Sequence, residues 1–287
     1  MNDYQLIDSG NSEKLERFGP FLLRRPDPQA LYAKHLPESE WKKAHAAFEV
    51  ASGKGKWKVT TGKEIPETWP VKIDSLTFSA TLGSFKHVGV FPEQETNWKW
   101  LRETIQKRVE GGTKGTKVTI LNLFAYTGGA TLACLQAGAE VVHVDASQGI
   151  VDVAAKNAHL SNLSDKPVRW IVDDVKKFIA RELKRGNKYH GIIMDPPAYG
   201  HGPKKEVWNI EEHLLPLIDD AKQLLTGDAL FMLINGYSAG YSPIAYGNNI
   251  LSLEKKGGKV ETGELTLVEE GSGRLLPAGI FARWRNQ

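Results

Sequence analysis

Carboxylates and small residues follow three apolar segments of this chain, at positions that suit ligand binding. The first segment runs into Phe124-Ala-Tyr-Thr-Gly128, whose small residues let a ligand approach the backbone. The second ends at Asp145, 17 residues after Gly128, where a carboxylate can accept hydrogen bonds from both hydroxyls of a ribose. The third ends in Asp173-Asp174-Val175, which offers a carboxylate to an exocyclic amine and a backbone N–H to a ring nitrogen. Together these residues predict a site for an adenosine-containing ligand.

Two alternatives bear on this site. Asp145 and Asp174 each suit the N-cap of a following helix, although three strand ends with matching groups favour one shared ligand. The dinucleotide fingerprint G-x-G-x-x-G is absent, because Phe124 and Tyr126 stand where glycines would be needed. A nicotinamide-dependent dehydrogenase is therefore disfavoured.

A fourth apolar segment ends in Asp195-Pro196-Pro197, with Tyr199 two residues further on. Consecutive prolines hold the backbone extended and withhold two N–H groups, so we expect the carbonyls there to point outward. The carboxylate and carbonyls can accept hydrogen bonds from an amine or base, and Tyr199 can stack on a planar ring. Asp-Pro-Pro is also a common turn, but its place after the fourth strand favours a functional interpretation. His201 lies in a glycine-rich loop that we predict to be a mobile lid. The histidine itself is either a proton-transfer group or an ordinary surface residue.

The residues above must be positioned by strands that alternate with helices. Short apolar runs predict buried strands at 118–123, 141–144, 168–172, 191–194 and 229–234. Helical patterns occupy 96–109, 129–137 and 150–160, and the last two strands, 264–268 and 279–284, form a closing hairpin. This alternation predicts an α/β fold with a mostly parallel sheet that binds ligands outside the carboxyl ends of its strands.

The first part of the chain has a different texture, with short alternating segments such as 4–7 and 71–78 broken by Gly and Pro. We therefore predict a small β-rich domain at 1–85 and a larger α/β domain at 86–287. The alternation of strands and helices begins after a glycine-rich loop at 111–115. Four lysines surround Trp57 in the small domain, and they form either a solvated hairpin or a nucleic-acid contact: Lys54, Lys56, Lys58 and Lys63.

Composition narrows the class of protein. The 37 basic and 34 acidic residues nearly balance, so the global charge does not by itself indicate a polyanionic partner. A single cysteine, Cys134, excludes an internal disulfide and a cysteine-based zinc site, and we expect it to pack inside a helix. We expect no metal, no signal peptide, no membrane span and a cytoplasmic location. The sequence leaves the oligomeric state open.

The combination of Asn122-Leu-Phe-Ala-Tyr-Thr-Gly128 with Asp195-Pro-Pro-Ala-Tyr199 resembles the class I S-adenosylmethionine-dependent methyltransferases, and within them the bacterial 23S ribosomal RNA methyltransferase family. The resemblance covers roughly residues 85–287 and includes Gly89–Gln94. It implies a Rossmann-like sheet of seven mostly parallel strands with a C-terminal antiparallel hairpin, S-adenosylmethionine as cofactor and RNA as partner. The cofactor-binding residues that it implies are Phe91, Gln94, Phe124, Ala125, Tyr126, Thr127, Gly128, Asp145, Ala146, Ser147, Asp174 and Val175. By the same resemblance Asp195, Pro196, Pro197 and Tyr199 face the methyl acceptor.

The segment after the fifth strand, residues 235–240, lacks the cysteine that methylation of cytosine carbon 5 requires as a nucleophile. We therefore expect direct transfer to a nitrogen of an RNA base, with ribosomal RNA as the substrate that the resemblance implies. Two alternatives stay open. One is a methyltransferase for a small molecule or a protein side chain, and the other is a catalytically silent RNA-binding protein of the same fold.

Overall fold

A computed structural model describes residues 2–51, 54–62, 64–111, 117–237 and 240–286. The chain forms two compact units, one of residues 1–95 with 266–278 and the other of residues 96–265 with 279–287. The division at residue 85 stays a prediction. Several predicted features lie outside the described residues: Lys63, the side chain of Lys54, positions 112–115 of the predicted loop, and Ser238 with Ala239.

The first unit is built mainly from antiparallel hairpins, although β3 and β4 pair in parallel. Its strands are β1 (Tyr4–Gly10), β2 (Glu13–Phe18), β3 (Phe21–Pro26), β4 (Ala46–Ala51), β5 (Lys54–Val59), β6 (Trp69–Ile73) and β7 (Leu76–Ala80), with the short helix α1 (Glu38–Trp41). Strands β1 to β5 make one sheet in chain order, and β6 pairs with β7. The expected β-rich fold is confirmed, but the segment 71–78 is a hairpin instead of one strand. Asp74 turns the chain there with a φ of 53°.

A buried ionic cluster ties residues 266–278 to β1 within the first unit. The guanidinium of Arg274 donates to both oxygens of Glu269 at 2.8 and 2.9 Å and to Asp8 Oδ1 at 3.1 Å. Glu269 also accepts from the backbone N–H and the hydroxyl of Ser9, and Asp8 from the indole N–H of Trp41 at 2.8 Å. Since Asp8 and Glu269 are at most 1% exposed, this arginine neutralises two buried carboxylates.

The second unit contains the predicted α/β sheet. Its strands are β8 (Thr119–Leu123), β9 (Glu140–Asp145), β10 (Val168–Val172), β11 (Gly191–Met194) and β14 (Phe231–Gly236). The sheet is completed by β15 (Lys259–Val268) and β16 (Leu275–Arg285), whose residues 266–268 and 275–278 belong to the first unit. The seven strands are ordered β10-β9-β8-β11-β14-β16-β15. The first five run parallel, and β16 runs antiparallel to β14. This confirms the predicted Rossmann-like fold with its closing hairpin, whose strands are longer than predicted.

Helices connect these strands. They are α2 (Glu95–Gly111), α3 (Gly129–Gln136), α4 (Gln148–Leu160), α5 (Val175–Arg185), α6 (Ile210–Gln223) and α7 (Pro243–Ile250). Two three-residue strands that the sequence did not predict, β12 (Tyr199–His201) and β13 (Val207–Asn209), precede α6. Cys134 is fully buried in α3, which confirms its packing role, and burial raises the pKa of its thiol far above the usual range. None of the helices in the described ranges is long and apolar enough to span a bilayer.

Candidate functional site

Four neighbouring strands end side by side, and backbone hydrogen bonds join their tips. The N–H of Ala125, just after β8, donates to Val144 in β9 at 3.1 Å. The N–H of Asp173, just after β10, donates to the carbonyl of Asp145 at 3.0 Å, and that of Asp195 to Leu123 at 3.3 Å. The structure therefore brings the loop after β8 and the predicted carboxylate positions together at one edge of the parallel sheet.

The loop between β8 and α3 has an unusual backbone. Phe124 and Tyr126 have φ values of 54° and 49°, in the left-handed region that side chains rarely adopt. Gly128 has a φ of 91°, and a Cβ on it would lie 3.2 Å from the Cβ of Ala154. A Cβ on Gly129 would lie 2.5 Å from the indole of Trp98. Close packing holds the loop over the sheet in this strained conformation, so its backbone groups can approach a ligand.

Asp145 fixes the same loop from the end of β9. Its Oδ2 accepts the N–H of Tyr126 at 2.9 Å, and its Oδ1 accepts the N–H of Ser147 at 3.1 Å. Burial raises the pKa of Asp145, while these N–H groups and that of Ala146 oppose the rise. Each carboxylate oxygen keeps a second lone pair, so two hydroxyl donors can still be accepted. These acceptor oxygens thus fit the two hydroxyl donors of a ribose.

Asp174 has a second, structural task. It is the N-cap of α5, and its Oδ1 accepts the N–H of Lys177 at 3.0 Å. The cap alternative is therefore confirmed for Asp174. For Asp145 it is wrong, because the N-cap residue of α4 is Ser147. Val175 begins α5, and first-turn N–H groups have no acceptor within their own helix. The two residues can still offer a carboxylate oxygen and an N–H to an adenine.

A buried polar chain supports the loop from below. Asn122 donates to the Thr131 hydroxyl at 2.9 Å, and that hydroxyl lies 3.0 Å from Nδ1 of His143. His143 is fully buried, and burial lowers its pKa to about 3. The imidazole is consequently neutral at physiological pH, and it serves the packing of β9 against α3.

The Asp195–Tyr199 segment differs from prediction in one respect. We expected its carbonyls to point outward, but Pro197 accepts the indole N–H of Trp208 at 2.6 Å and Ala198 accepts the N–H of Ile210 at 3.0 Å. That expectation is wrong for these two carbonyls, because β13 and α6 fold back on them. No donor in the described part of the chain bonds to the Pro196 carbonyl.

Trp208 is a site residue that the sequence analysis missed. It is 5% exposed, and its ring lies 4.8 Å from that of Phe124 and stacks on His213 at 5.6 Å. It therefore connects the Asp-Pro-Pro segment to the loop after β8. A lone tryptophan 11 residues after Pro197 carries no periodic signal, so only the fold reveals it.

Tyr199 and His201 lie on β12, which pairs with β13, so the predicted loop contains a small hairpin. Tyr199 is 60% exposed, and its ring lies 5.3 Å from the His201 imidazole, edge to face. The tyrosine can therefore stack on a planar molecule. The proton-transfer role of His201 and the lid motion stay predictions.

Phe91 and Gln94 belong to the first unit. Gln94 ends a short 3-10 helix, Pro92–Gln94, and is buried, while the half-buried Phe91 ring lies 4.9 Å from His87. Their predicted closure over a cofactor stays a prediction. Across the described ranges, no group of three or more His, Cys, Asp or Glu side chains is placed to hold a metal ion.

Comparison with known proteins agrees with this geometry. A family model for S-adenosylmethionine-dependent methyltransferases matches residues 51–242. The crystal structure of a SAM-dependent methyltransferase from Agrobacterium tumefaciens superposes with a TM-score of 0.92 at 38% identity, covering 100% of this chain and 91% of that one. A methyltransferase structure complexed with SAH shares the fold, with a TM-score of 0.70 at 17% identity over 99% of this chain and 75% of that one.

Curated relatives match a shorter stretch. Ribosomal RNA large subunit methyltransferase I of Aeromonas hydrophila is 40% identical over 88 residues, which are 30% of this chain and 22% of the relative. The protein of the same name from Salmonella arizonae is 41% identical over 81 residues, 28% of this chain and 20% of the relative. The chain therefore spans about a fifth of the length of these relatives.

Proposed function

Because the chain belongs to the S-adenosylmethionine-dependent methyltransferase family, we propose that it methylates a nitrogen of an RNA base, with ribosomal RNA as the substrate. The protein is an enzyme, and S-adenosylmethionine is its cofactor. The observation that carries the proposal is the line of joined strand tips, which places Asp145, the loop after β8 and Asp195 at one edge of the sheet. The predicted cytoplasmic location is part of the same proposal.

We assign cofactor binding to residues of the second unit. The backbone of Phe124, Ala125, Tyr126, Thr127 and Gly128 would embrace the methionine part. Asp145 would accept both ribose hydroxyls, beside Ala146 and Ser147, and Asp174 with Val175 would bind the adenine. S-adenosylmethionine supplies a methyl carbon bonded to a positively charged sulfur. The protein's task is to hold an acceptor atom in line with that bond.

The acceptor is assigned to the end of β11. Asp195 and the Pro196 carbonyl would accept hydrogen bonds from an N–H donor, which frees the lone pair of the attacked nitrogen. In this proposal Asp195, a carboxylate beside the acceptor, also receives the proton that the nitrogen loses on methylation. Pro197 holds this backbone rigid, and the exposed ring of Tyr199 can stack on the base. The buried Cys134, with its raised pKa, is unsuited to attack cytosine carbon 5.

The choice of RNA is supported by the names of the curated relatives, which are ribosomal RNA methyltransferases. A small-molecule or protein acceptor is the second candidate, and the nearly balanced charge of the chain favours it. Tritiated cofactor should be offered to RNA, protein and metabolite fractions of cells that lack the protein. We expect label in RNA of the large ribosomal subunit, whereas label confined to another fraction would contradict the RNA proposal.

Asp145→Ala should weaken S-adenosylmethionine binding by about 2 kcal/mol, or roughly 30-fold in Kd, since it removes a charged acceptor for two hydroxyls. Isothermal titration calorimetry with the cofactor and with S-adenosylhomocysteine measures this loss. Asp165→Ala, which removes an exposed carboxylate in the turn before β10, is the matched control. Equal affinities for both variants and the wild type would exclude the ribose contact.

The lysines of β5 provide a separate test of RNA binding. Lys56 and Lys58 are exposed, and Lys58 lies 3.6 Å from Glu49. Trp57 is held by Phe48, 5.5 Å away, and donates to the Phe85 carbonyl at 3.0 Å. The hairpin alternative and the RNA contact both remain consistent with this arrangement. Neutralising the two lysines therefore separates them.

The double variant Lys56→Gln/Lys58→Gln should bind RNA more weakly, and the slope of log K against log salt should fall by about 1.4, or 0.7 for each lost phosphate contact. Filter binding at several salt concentrations measures the slope. Lys42→Gln/Lys43→Gln, which neutralises two exposed lysines beside α1, should leave it unchanged. Identical slopes for the two double variants would show that the β5 lysines face solvent and do not contact RNA.

A further inference from the structure

Tyr246 in α7 carries a buried hydroxyl without a hydrogen-bond partner. The residue is 2% exposed, and its Oη has no donor or acceptor within reach in the described residues. A buried hydroxyl that lacks a partner is unfavourable, and buried polar groups in native proteins are rarely left so. A bound molecule with an acceptor atom would satisfy this Oη, which the described residues leave without a partner.

The location of this hydroxyl indicates what that partner is. Oη lies 2.8 Å from the position of a Cβ on Gly236, the last residue of β14, so the tyrosine ring packs on backbone at the tip of that strand. Any side chain at position 236 would displace the ring. Strand β14 is the neighbour of β11, which ends immediately before Asp195. The hydroxyl is thus at the carboxyl edge of the sheet, on the acceptor side.

Asp195 is close enough to Tyr246 to act on it electrostatically. Burial, together with the neighbouring Tyr241 and Asp195, raises the pKa of Tyr246 to about 12. The phenol is therefore protonated at physiological pH and available as a donor. Two further tyrosines near this strand end, Tyr237 and Tyr241, are each 37% exposed, and the Tyr241 ring lies 6.1 Å from that of Tyr246. Aromatic faces of this kind suit a flat acceptor.

We propose that the Tyr246 hydroxyl donates a hydrogen bond to the methyl acceptor and, together with Asp195, selects a planar nitrogen heterocycle with an N–H donor beside a hydrogen-bond acceptor. This inference rests on the proposed function and adds a substrate-contacting residue to it. Asp195 accepts from the N–H, and Oη donates to the adjacent ring nitrogen or carbonyl oxygen. A molecule with two like groups at these positions leaves one side unsatisfied, so the pair discriminates between acceptors.

Tyr246→Phe tests the proposal because it removes the hydroxyl and keeps the ring. We expect kcat/KM to fall about tenfold, as for the loss of one neutral hydrogen bond, with unchanged cofactor affinity. The assay uses tritiated S-adenosylmethionine and the cell fraction that the wild type labels. The urea midpoint should not fall, since the lost hydroxyl has no partner among the residues that the structure describes.

Tyr189→Phe is the matched control. Tyr189 is also buried, at 4% exposure, but its hydroxyl donates to Glu182 at 2.6 Å. This variant should lower the urea midpoint and leave kcat/KM unchanged at temperatures where it is folded. A lowered midpoint for Tyr246→Phe, or an unchanged kcat/KM, would assign its hydroxyl to the structure alone. Failure of the proposed function is seen separately, as RNA that the wild type does not label.

A double-mutant cycle separates contact with the acceptor from action through Asp195. If Tyr246 contacts the acceptor, Tyr246→Phe should lower kcat/KM by a similar factor in the wild type and in Asp195→Asn. A tyrosine that only orients the carboxylate would lose its effect once Asp195 is changed, and that result would overturn the proposal.

Discussion

Asp195→Ala is expected to lower kcat about a hundredfold while it leaves the Kd for S-adenosylmethionine within about twofold. The carboxylate is assigned to the methyl acceptor, and removal of a group that aligns the nucleophile and accepts its proton costs about 10²-fold or more in rate. The hydrogen bond from position 195 to Leu123, the last residue of β8, is made by backbone atoms, and alanine keeps it. Single-turnover methyl transfer and calorimetry measure the two quantities.

Asp195→Asn is the matched variant, because it keeps one oxygen acceptor and loses the charge. Its rate should lie between those of the wild type and Asp195→Ala. Asp145→Ala should show the opposite pattern, with weak cofactor binding and a nearly normal rate at saturating cofactor. If the two alanine variants lose cofactor affinity equally, the division between a cofactor acid and an acceptor acid is wrong.

Arg274→Met should lower the free energy of unfolding of the first unit by about 3–5 kcal/mol, because it leaves the buried carboxylates of Asp8 and Glu269 without their cation. Methionine preserves much of the aliphatic packing over the Tyr32 ring, which lies 4.7 Å from the guanidinium. Urea denaturation followed by tryptophan fluorescence measures the change, since Trp41 donates to Asp8 within the same cluster.

Two variants give this prediction its controls. Arg17→Met removes an arginine of the same unit whose guanidinium contacts the uncharged Gln5, and it should cost less than about 1 kcal/mol. Adding Glu269→Gln to Arg274→Met should restore part of the lost stability, because it removes one uncompensated charge. Additive losses from the two changes would show that the carboxylates do not depend on the arginine.

The sequence predicted the parallel sheet well because each buried strand is a short apolar run. The predicted limits of β10 and β11 coincide with the observed ones, at Val168–Val172 and Gly191–Met194. The hairpin of β6 and β7 was missed because its turn has no glycine. Asp74 adopts the left-handed conformation there, which alternation of apolar residues does not reveal.

At the site, the acids at strand ends were predictable because their positions follow from strand boundaries. Tertiary contacts were not. Trp208 joins the Asp-Pro-Pro segment to the loop after β8 through contacts on another strand, and the carbonyls of Pro197 and Ala198 are turned by a hairpin of two three-residue strands. Such strands are too short to show a period of two. The cluster of Asp8, Glu269 and Arg274 joins residues 266 positions apart, beyond any local pattern.

That separation determines how long after Asp8 its counter-ion is translated. Asp8 is translated 266 residues before the arginine that compensates its charge. At about 5–20 residues per second this interval is roughly 10–50 s, during which β1 cannot bury Asp8 with its native counter-ion. The cluster of Asp8, Glu269 and Arg274 therefore forms only after the five parallel strands of the α/β sheet have been translated.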